Sequence, residues 1–401
     1  MSKYIAKALI VQGGGPTVVI NQSLVGVIEE LKKYPEIERI YGGRHGISGV
    51  VKDDLIDLTD VSVDDLELIA GTPSSALGSS RDKPDQVYCH KMFEIMAKHN
   101  IGYFFFIGGN DGASVCNIVN QEAKKANYQL RVIHVPKTID NDLLLTDHCP
   151  GFGSAGKFIA QAFVGADLDN RSLPGVYIGV VMGRHAGFLT ASSVLAKQNI
   201  EDGPHLIYLP ERSFSTEQFI VDVENVYNKY GRCVVAVSEG IQDSAGNLIV
   251  VDLMKNRECD PHGNVQLSGT GALGDLLADL IRTKTKIKRV RADTLGYLQR
   301  SFLGCVSETD KSEARIVGTK AVQFVMTDDV DGSVIIKRTG NYEVDYELTP
   351  LTEMAKGTKS MPDEFIIGNN MVSEKFIDYV KPLVGELPVF GKLKAPLVKN
   401  V

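Results

Sequence analysis

The sequence predicts an α/β protein with mostly parallel β-sheets that helices cover on both faces. Short runs of β-branched and aromatic residues repeatedly end in glycine, proline or an acidic residue, and amphipathic stretches follow them. The chain has 401 residues, more than one hydrophobic core usually serves, so we expect two domains. In sheets of this kind, ligands bind outside the carboxyl ends of the strands. The loops that leave those ends are therefore the candidate functional segments.

Five predicted strands lead into such loops. They cover residues 8–11, 103–107, 132–135, 176–181 and 233–237. Helices are predicted after three of them, over residues 21–33, up to about 126, and over 186–196. A break at Cys149-Pro150-Gly151 is the first candidate domain boundary, and the proline-containing tail from Met361 onward is expected to be a loosely structured surface segment. We expect the five loops to converge on one crevice.

Composition narrows the class of protein. The apolar fraction of 43% and the charged fraction of 23% are typical of a globular protein, and no apolar run approaches the roughly 20 residues that span a bilayer. The sequence begins without the pattern of a signal peptide, and its six cysteines are scattered, so we expect reduced thiols and a cytoplasmic location. The net charge of −7, with no basic stripe, disfavours nucleic acid as a partner.

Two GxGxxG patterns raise the alternative of an NAD-dependent oxidoreductase. Residues 151–156 do not directly follow a predicted strand, and residues 269–274 lie between a possible strand at 265–267 and a predicted helix at 275–281. A dinucleotide fingerprint belongs to the first βαβ unit of its domain, whereas the second pattern comes late in the chain. Residues 151–157 also approximate the phosphate loop GxxxxGK, but Phe158 stands where a Ser or Thr must bind magnesium. These patterns are weak evidence for a nucleotide.

The glycine-rich loops can bind an anion. Gly13-Gly14-Gly15, between a strand and a helix, can present backbone N–H groups to a phosphate, although a tight turn is an equally good interpretation. Gly109-Asn110-Asp111 repeats that arrangement but adds a carboxylate, which repels phosphate unless a divalent cation or a lysine lies between them. Lys137, at the head of the next loop, can supply that charge.

The loop that Lys137 begins also carries paired carboxylates. Asp140 and Asp142 flank Asn141; one carboxylate can accept a proton from an attacking hydroxyl while the other binds magnesium. The alternative is an Asx-rich turn with no chemical role.

Arginines in the later loops suit a sugar phosphate. Arg184, Arg291 and Arg300 supply guanidinium groups, which pair with phosphate through two parallel hydrogen bonds. Glu239 suits sugar hydroxyls. Each arginine alone is better interpreted as a surface residue, and for Glu239 a solvated strand end is an equally good interpretation.

Taken in order, the motifs GGGP, GGND, PKTIDND, MGRHAG, SEG and LGYLQR resemble the phosphofructokinases, and more narrowly their pyrophosphate-dependent branch. The resemblance runs from about residue 8 to 301. It implies two doubly wound, mostly parallel three-layer domains with the active site in the cleft between them. A donor domain would comprise residues 1–150 plus about 298–348, and a sugar-phosphate domain 151–297 plus about 349–401.

The resemblance also implies an activity. The expected reaction is reversible transfer of a phosphoryl group from pyrophosphate to the 1-hydroxyl of fructose 6-phosphate in glycolysis, giving fructose 1,6-bisphosphate and phosphate. It implies Mg²⁺ as cofactor and a homodimer or homotetramer. Val25 and Glu29 stand where allosteric members carry effector-binding arginines, so we expect a non-allosteric enzyme.

Residue roles follow from the same resemblance. Asp140 would be the base, with Lys137 and Asp111 as further catalytic residues, and Arg291 would reach the 6-phosphate from a neighbouring subunit. The residues expected to bind the sugar phosphate are Thr138, Ile139, Met182, Gly183, Arg184, Glu239, Arg291, Tyr297 and Arg300. Those expected at the donor are Gly13, Gly14, Gly15, Arg81 and Gly109, and those at magnesium are Asn110 and Asp142. Asn110 replaces an aspartate usual in the family, which shifts metal binding towards Asp142.

Two residues predict the phosphoryl donor. ATP-dependent members resemble GGDG and PGTIDND, with glycine at the positions of Asp111 and Lys137. Glycine leaves room for the α-phosphate of ATP, whereas Asp111 fills that space with a like charge and Lys137 adds a cation for a small donor. The alternatives are an ATP-dependent 6-phosphofructokinase and a non-catalytic regulatory subunit of the same family. The second would be expected to lack the base, and Asp140 is present.

Overall fold

The computed structural model describes residues 6–250 and 270–393. The strands are β1 (Ala6–Gln12), β2 (Ile37–Gly43), β3 (Leu55–Asp57), β4 (Ile101–Gly108), β5 (Arg131–Pro136), β6 (Val176–Val181), β7 (Leu206–Tyr208), β8 (Cys233–Ser238), β9 (Val290–Thr294), β10 (Gly332–Gly340), β11 (Glu343–Thr349), β12 (Ile366–Ile367) and β13 (Met371–Val372). The possible strand at 265–267, together with Gly269, lies outside the described residues.

The α-helices lie between these strands and after the last of them. They are α1 (Ile20–Leu31), α2 (Ile47–Val51), α3 (Val63–Ala70), α4 (Gln86–Lys98), α5 (Asn110–Lys125), α6 (Phe152–Ser172), α7 (Phe188–Ala191), α8 (Thr216–Tyr230), α9 (Ala272–Lys284), α10 (Leu298–Ser301), α11 (Glu308–Asp328), α12 (Leu351–Met354) and α13 (Glu374–Val384). The helix predicted over 186–196 is α7 continued by a short 3₁₀ helix, Ser192–Ala196. Within the described residues, no helix has both the length and the apolar character needed to cross a bilayer.

A seven-stranded sheet has the order β11-β10-β5-β4-β1-β2-β3. Its pairs are parallel except β2 with β3 and β10 with β11. Alternate residues of β1 pack on opposite faces: Ala8 and Ile10 contact the core under α1 and α11, whereas Leu9 and Val11 contact the core under α2, α4 and α5. Both faces of a parallel sheet are buried in this way, so its strands read as continuous apolar runs.

A second sheet has the order β7-β8-β6-β9 and is parallel throughout. Ile178 and Val180 face the core under α8 and α9, and Val181 faces the core under α6 and α13. The prediction of an α/β fold with mostly parallel sheets is confirmed. The first sheet draws on residues 6–136 and 332–349 and the second on 176–294, while the domain boundaries given above stay a prediction.

The expectation of a loosely structured tail from Met361 onward is wrong for residues 361–384, which contain two short strands and α13, whereas residues 385–393 form no helix or strand. Helix α13 buries Phe376, Tyr379, Val380 and Leu383. These residues recur at positions i, i+3, i+4 and i+7, the spacing that places side chains on one face of a helix. Pro382 lies in the last turn of α13, which continues to Val384 and is followed by Gly385 at a φ of 75°.

Candidate active site

The five predicted loops meet at one cleft with a volume of about 280 Å³. The residues that line it are Gly14, Gly15, Pro16, Arg81, Gly109, Asn110, Asp111, Gly112, Lys137, Thr138, Ile139, Asp140, Asp142, Met182, Arg184, His185, Glu239, Tyr297, Arg300 and Thr358. Parallel strands carry their following loops at the same edge of a sheet, which explains why segments so distant in sequence converge.

The loop after β1 brings backbone close to charged side chains. Gly14 has a φ of 76°, in the region that favours glycine, and the Ser79 hydroxyl donates to its carbonyl oxygen at 2.6 Å. A Cβ on Gly15 would lie 3.0 Å from Cζ of Arg300, so a side chain there would push that guanidinium away. Gly13 does not line the cleft: a Cβ there would lie 2.4 Å from the ring of Phe106, so this glycine serves packing.

Helix α5 begins at Asn110, directly after Gly109. Asp111 lies in its first turn, where a carboxylate interacts favourably with the helix dipole. Oδ1 of Asn110 is buried and has no hydrogen-bond partner among the described residues. A buried acceptor without a partner is uncommon, and Asn110 is one of the residues that line the cleft.

Lys137 carries a buried ammonium group. Its Nζ donates to the carbonyl oxygen of Gly15 at 2.7 Å, and the side chain bridges the loops after β1 and β5. Burial and, to a smaller extent, the nearby Arg300 guanidinium lower the pKa of Lys137 to about 8. Asp140 and Asp111 oppose that shift. The cation is therefore held where solvent does not screen it.

Asp140 and Asp142 form a carboxylate pair in which Asp142 is buried and Asp140 is partly buried. Burial raises the pKa of Asp140, against the opposing charges of Arg300 and Lys137. Burial and the neighbouring Asp140 raise the pKa of Asp142 to about 7. The hydroxyl of Thr138 donates to Asp142 at 3.4 Å and accepts from the backbone N–H of Asp140 at 3.1 Å. A pair of this kind gains from a proton or a divalent cation between its members.

The loops after β6 and β9 carry Arg184 and Arg300 and form one side of the cleft. The Arg300 guanidinium lies 4.9 Å from the centre of the Tyr297 ring. The backbone N–H of Met182 donates to Oε1 of Gln299, a buried residue next to Arg300, at 3.2 Å. Gly183 does not line the cleft. Its φ of 137° makes the turn that leads to Arg184.

Arg291 is not brought to this cleft. Its side chain is exposed on β9, and its guanidinium donates to the carbonyl oxygen of Val290 at 3.0 Å. The expected role of Arg291 at a neighbouring subunit's site stays a prediction.

Sequence reasoning missed several residues that line the cleft. His185 belongs to the MGRHAG motif, and its place in that motif was the available signal. Partial burial and the positive charge of Arg184 lower the pKa of His185. Thr358 comes from a segment far along the chain, paired with Leu143 through an isolated β-bridge, and nothing in its local sequence marks it. Pro16 and Gly112 extend the two glycine loops.

The first GxGxxG pattern is explained by packing and not by a nucleotide. Gly151 and Ser154, at the start of α6, donate their backbone N–H groups to the Asp310 carboxylate at 2.7 and 2.9 Å. The anion position at this helix N-terminus is therefore filled by the chain's own side chain. A Cβ on Gly153 would lie 2.5 Å from the carbonyl oxygen of Leu383, so this glycine admits the close approach of α13.

Comparisons with known proteins agree with this arrangement. The phosphofructokinase family model matches residues 7–325. A pyrophosphate–fructose 6-phosphate 1-phosphotransferase of Rhodospirillum rubrum is 58% identical over 383 residues, which cover 95% of each chain. One of the same name from Methylococcus capsulatus is 36% identical over 390 residues, covering 94% of this chain and 91% of its own.

The similarity extends to solved structures. The crystal structure of a pyrophosphate-dependent phosphofructokinase from Nitrosospira multiformis has a TM-score of 0.85 and 33% sequence identity, and the match covers 96% of this chain and 94% of that one. The residues matched by the family model include all five loops of the cleft. The chain belongs to the phosphofructokinase family.

Proposed function

We propose that the protein transfers a phosphoryl group from pyrophosphate to the 1-hydroxyl of fructose 6-phosphate, giving fructose 1,6-bisphosphate and phosphate, reversibly. The observation that carries the proposal is that Asp140, Lys137 and Asp111 line one cleft. The names of the relatives from R. rubrum and M. capsulatus support pyrophosphate over ATP as the donor.

Lys137 and Asp111 select the donor. Pyrophosphate offers no adenosine to bind, so its affinity must come from charge, and the buried ammonium of Lys137 supplies that charge in a poorly screened place. The Asp111 carboxylate lines the cleft, and the resemblance implies that it fills the space that the α-phosphate of a nucleotide would need, where two like charges repel each other. Gly14, Gly15, Gly109 and Arg81 complete the donor side.

Asp140 is the base. It accepts the proton of the sugar 1-hydroxyl, whose oxygen attacks the terminal phosphorus of the donor; the bond from that phosphorus to the bridging oxygen breaks, and phosphate leaves. A raised pKa suits this role, because a base works best when its pKa approaches the working pH.

The remaining residues hold the sugar phosphate. Met182, Arg184 and Glu239 are proposed to contact the sugar, with Thr138 and Ile139 near its reacting end. Tyr297 and Arg300 are proposed to bind the 6-phosphate, completed by Arg291 of the partner subunit in a homodimer or homotetramer. Guanidinium groups suit phosphate because their planar donors match its oxygens.

The residues present also fit Mg²⁺. The buried Oδ1 of Asn110 lacks a protein partner among the described residues, and Asp142 is a buried carboxylate across the cleft, so both offer the oxygen ligands that Mg²⁺ prefers. No group of three or more His, Cys, Asp or Glu able to hold a metal occurs in the described parts of the chain. Donor phosphates and water would complete the coordination, as is usual for Mg²⁺. The ion would neutralise charge on the donor phosphates.

We further propose a glycolytic role in the cytoplasm. The described cysteines are buried free thiols, which supports a reducing compartment, while Cys259 lies outside the described residues.

Replacing the base tests the proposal. Asp140→Asn keeps the shape of the side chain but cannot accept the hydroxyl proton, and loss of a general base typically lowers the rate by about 10² to 10⁴. With pyrophosphate and Mg²⁺, we expect a fall of that size in kcat and a much smaller change in KM for fructose 6-phosphate. Asp328→Asn, at the exposed end of α11, is the control. If Asp140→Asn keeps more than about a tenth of the control's kcat, the base is a different group.

A further inference from the structure

The catalytic turn at Asp140–Asp142 is supported from behind by the C-terminal part of the chain. The family model ends at residue 325, yet later residues contact this turn directly. The backbone N–H of Lys359 donates to the carbonyl oxygen of Asp142 at 2.7 Å, and Tyr379 of α13 reaches Asn141. The segment outside the family match therefore contributes to the geometry of the cleft.

Asn141 links the two aspartates and is held on both sides. Its φ of 59° lies in the left-handed region, and its side chain is fully buried. Nδ2 donates to the Tyr379 hydroxyl at 2.7 Å, and Oδ1 accepts from the backbone N–H of Cys149 at 2.9 Å. Because Asp140 and Asp142 are its direct neighbours, any rotation of Asn141 redirects both carboxylates.

The Tyr379 hydroxyl is itself fixed. Its ring lies 5.1 Å from that of Phe365 and 6.2 Å from that of Phe188, with the Arg338 guanidinium 4.7 Å from the ring centre. The hydroxyl donates its hydrogen to the carbonyl oxygen of Asp147 at 2.9 Å, so its oxygen is free to accept from Asn141. That carbonyl also accepts from Nζ of Lys359 at 2.8 Å and keeps a partner if the hydroxyl is removed.

We propose that Tyr379 is a positioning residue for phosphoryl transfer. Its hydroxyl holds the Asn141 side chain, and through it the Asp140 and Asp142 carboxylates, in the orientation that the reaction needs. Neither hydrogen-bond partner of the Tyr379 hydroxyl, Asn141 or Asp147, is a proposed substrate contact, so we expect loss of the hydroxyl to affect the chemical step more than affinity for either substrate. The inference rests on the proposed function.

Tyr379→Phe tests the inference because it removes the hydroxyl and keeps the ring among its aromatic neighbours. Misplacement of reacting groups by about an ångström lowers rates by up to about 10²-fold, so we expect kcat to fall about 10- to 100-fold with KM for fructose 6-phosphate and pyrophosphate little changed. Tyr346→Phe is the matched control: that hydroxyl is buried in β11 and has no hydrogen-bond partner among the described residues. All rates are measured at a temperature where circular dichroism shows the variants folded.

A second variant separates positioning from general destabilisation. Asn141→Gly removes the other partner of the bond, and glycine adopts a positive φ without strain. Because both changes break one contact, adding Tyr379→Phe to Asn141→Gly should lower kcat no further. Equal kcat for Tyr379→Phe and Tyr346→Phe, or fully multiplicative losses in the double variant, would overturn the inference while leaving the proposed function intact. A wild-type protein inactive with pyrophosphate would overturn both.

Discussion

At the scale of single residues, the charge of Lys137 depends on pH within the range where enzymes are assayed. Burial lowers its pKa from 10.5 to about 8 in the folded protein. The ammonium is therefore present below about pH 8 and is lost as the pH rises through that value. Since the proposed donor is bound through this cation, kcat/KM for pyrophosphate should decline on the alkaline side.

The pH profile of Lys137→Met checks that assignment. Methionine fills a similar volume without charge, so the alkaline decline due to Lys137 should disappear. The loss of a charge-assisted phosphate contact, about 2 kcal/mol or more, should lower kcat/KM for pyrophosphate at least about thirtyfold at pH 7. Protonation of pyrophosphate itself affects both proteins alike. An unchanged alkaline limb in the variant would assign that limb to another group.

At the scale of elements, the start of α6 depends on a carboxylate from α11. Asp310 is fully buried and accepts from the backbone N–H groups of Gly151 and Ser154, in the manner of an N-cap supplied by a different helix. Through this contact α11, which packs under the first sheet, fixes the helix that covers the second.

Removing that contact should destabilise the whole chain. Asp310→Ala leaves two buried N–H groups without an acceptor, and we expect a loss of about 2 to 4 kcal/mol in the free energy of unfolding, measured by urea denaturation. Asp310→Asn, which keeps one acceptor oxygen, should lose less. Asp328→Ala, exposed on the same helix, should change stability by no more than about 0.5 kcal/mol. Equal stability of the Asp310→Ala and Asp328→Ala proteins would contradict this account of α6.

Only some of these elements and site residues can be predicted from the sequence, for physical reasons. Continuous apolar runs identified β1, β4 and β5 of the first sheet and β6 and β8 of the second, and the glycines and charges after them identified most of the cleft. Thr358, which lines the cleft, and Tyr379, which lies behind it, were missed because tertiary packing brings them there and no local pattern records it. For α13, the i, i+3, i+4, i+7 pattern from Phe376 to Leu383 indicates an amphipathic helix, whereas the nearby prolines favoured a loosely structured segment.

At the scale of the whole molecule, the exposed position of Arg291 bears on assembly. If Arg291 completes the 6-phosphate site of a neighbouring subunit, Arg291→Ala and Asp140→Asn homodimers are both defective, because each lacks a different residue in every site. In a mixed dimer, one of the two sites contains both an unmodified Asp140 and an unmodified Arg291.

Mixing the two variants tests this arrangement. After subunit exchange, activity should recover towards about a quarter of the wild-type value, since half of the dimers are mixed and each has one intact site. The measurement is kcat after exchange, with exchange confirmed by mass spectrometry of tagged subunits. No recovery after confirmed exchange would show that each subunit builds its phosphate site alone.

The choice of phosphoryl donor is the central claim, and one comparison of kcat/KM tests it most directly. With fructose 6-phosphate and Mg²⁺, the wild-type protein should prefer pyrophosphate over ATP by at least about a hundredfold, because like charges brought together at Asp111 cost several kcal/mol. Asp111→Gly should raise the value for ATP and lower that for pyrophosphate, and further replacement of Lys137 by glycine should extend the shift. A wild-type protein that uses ATP as well as pyrophosphate would contradict the account.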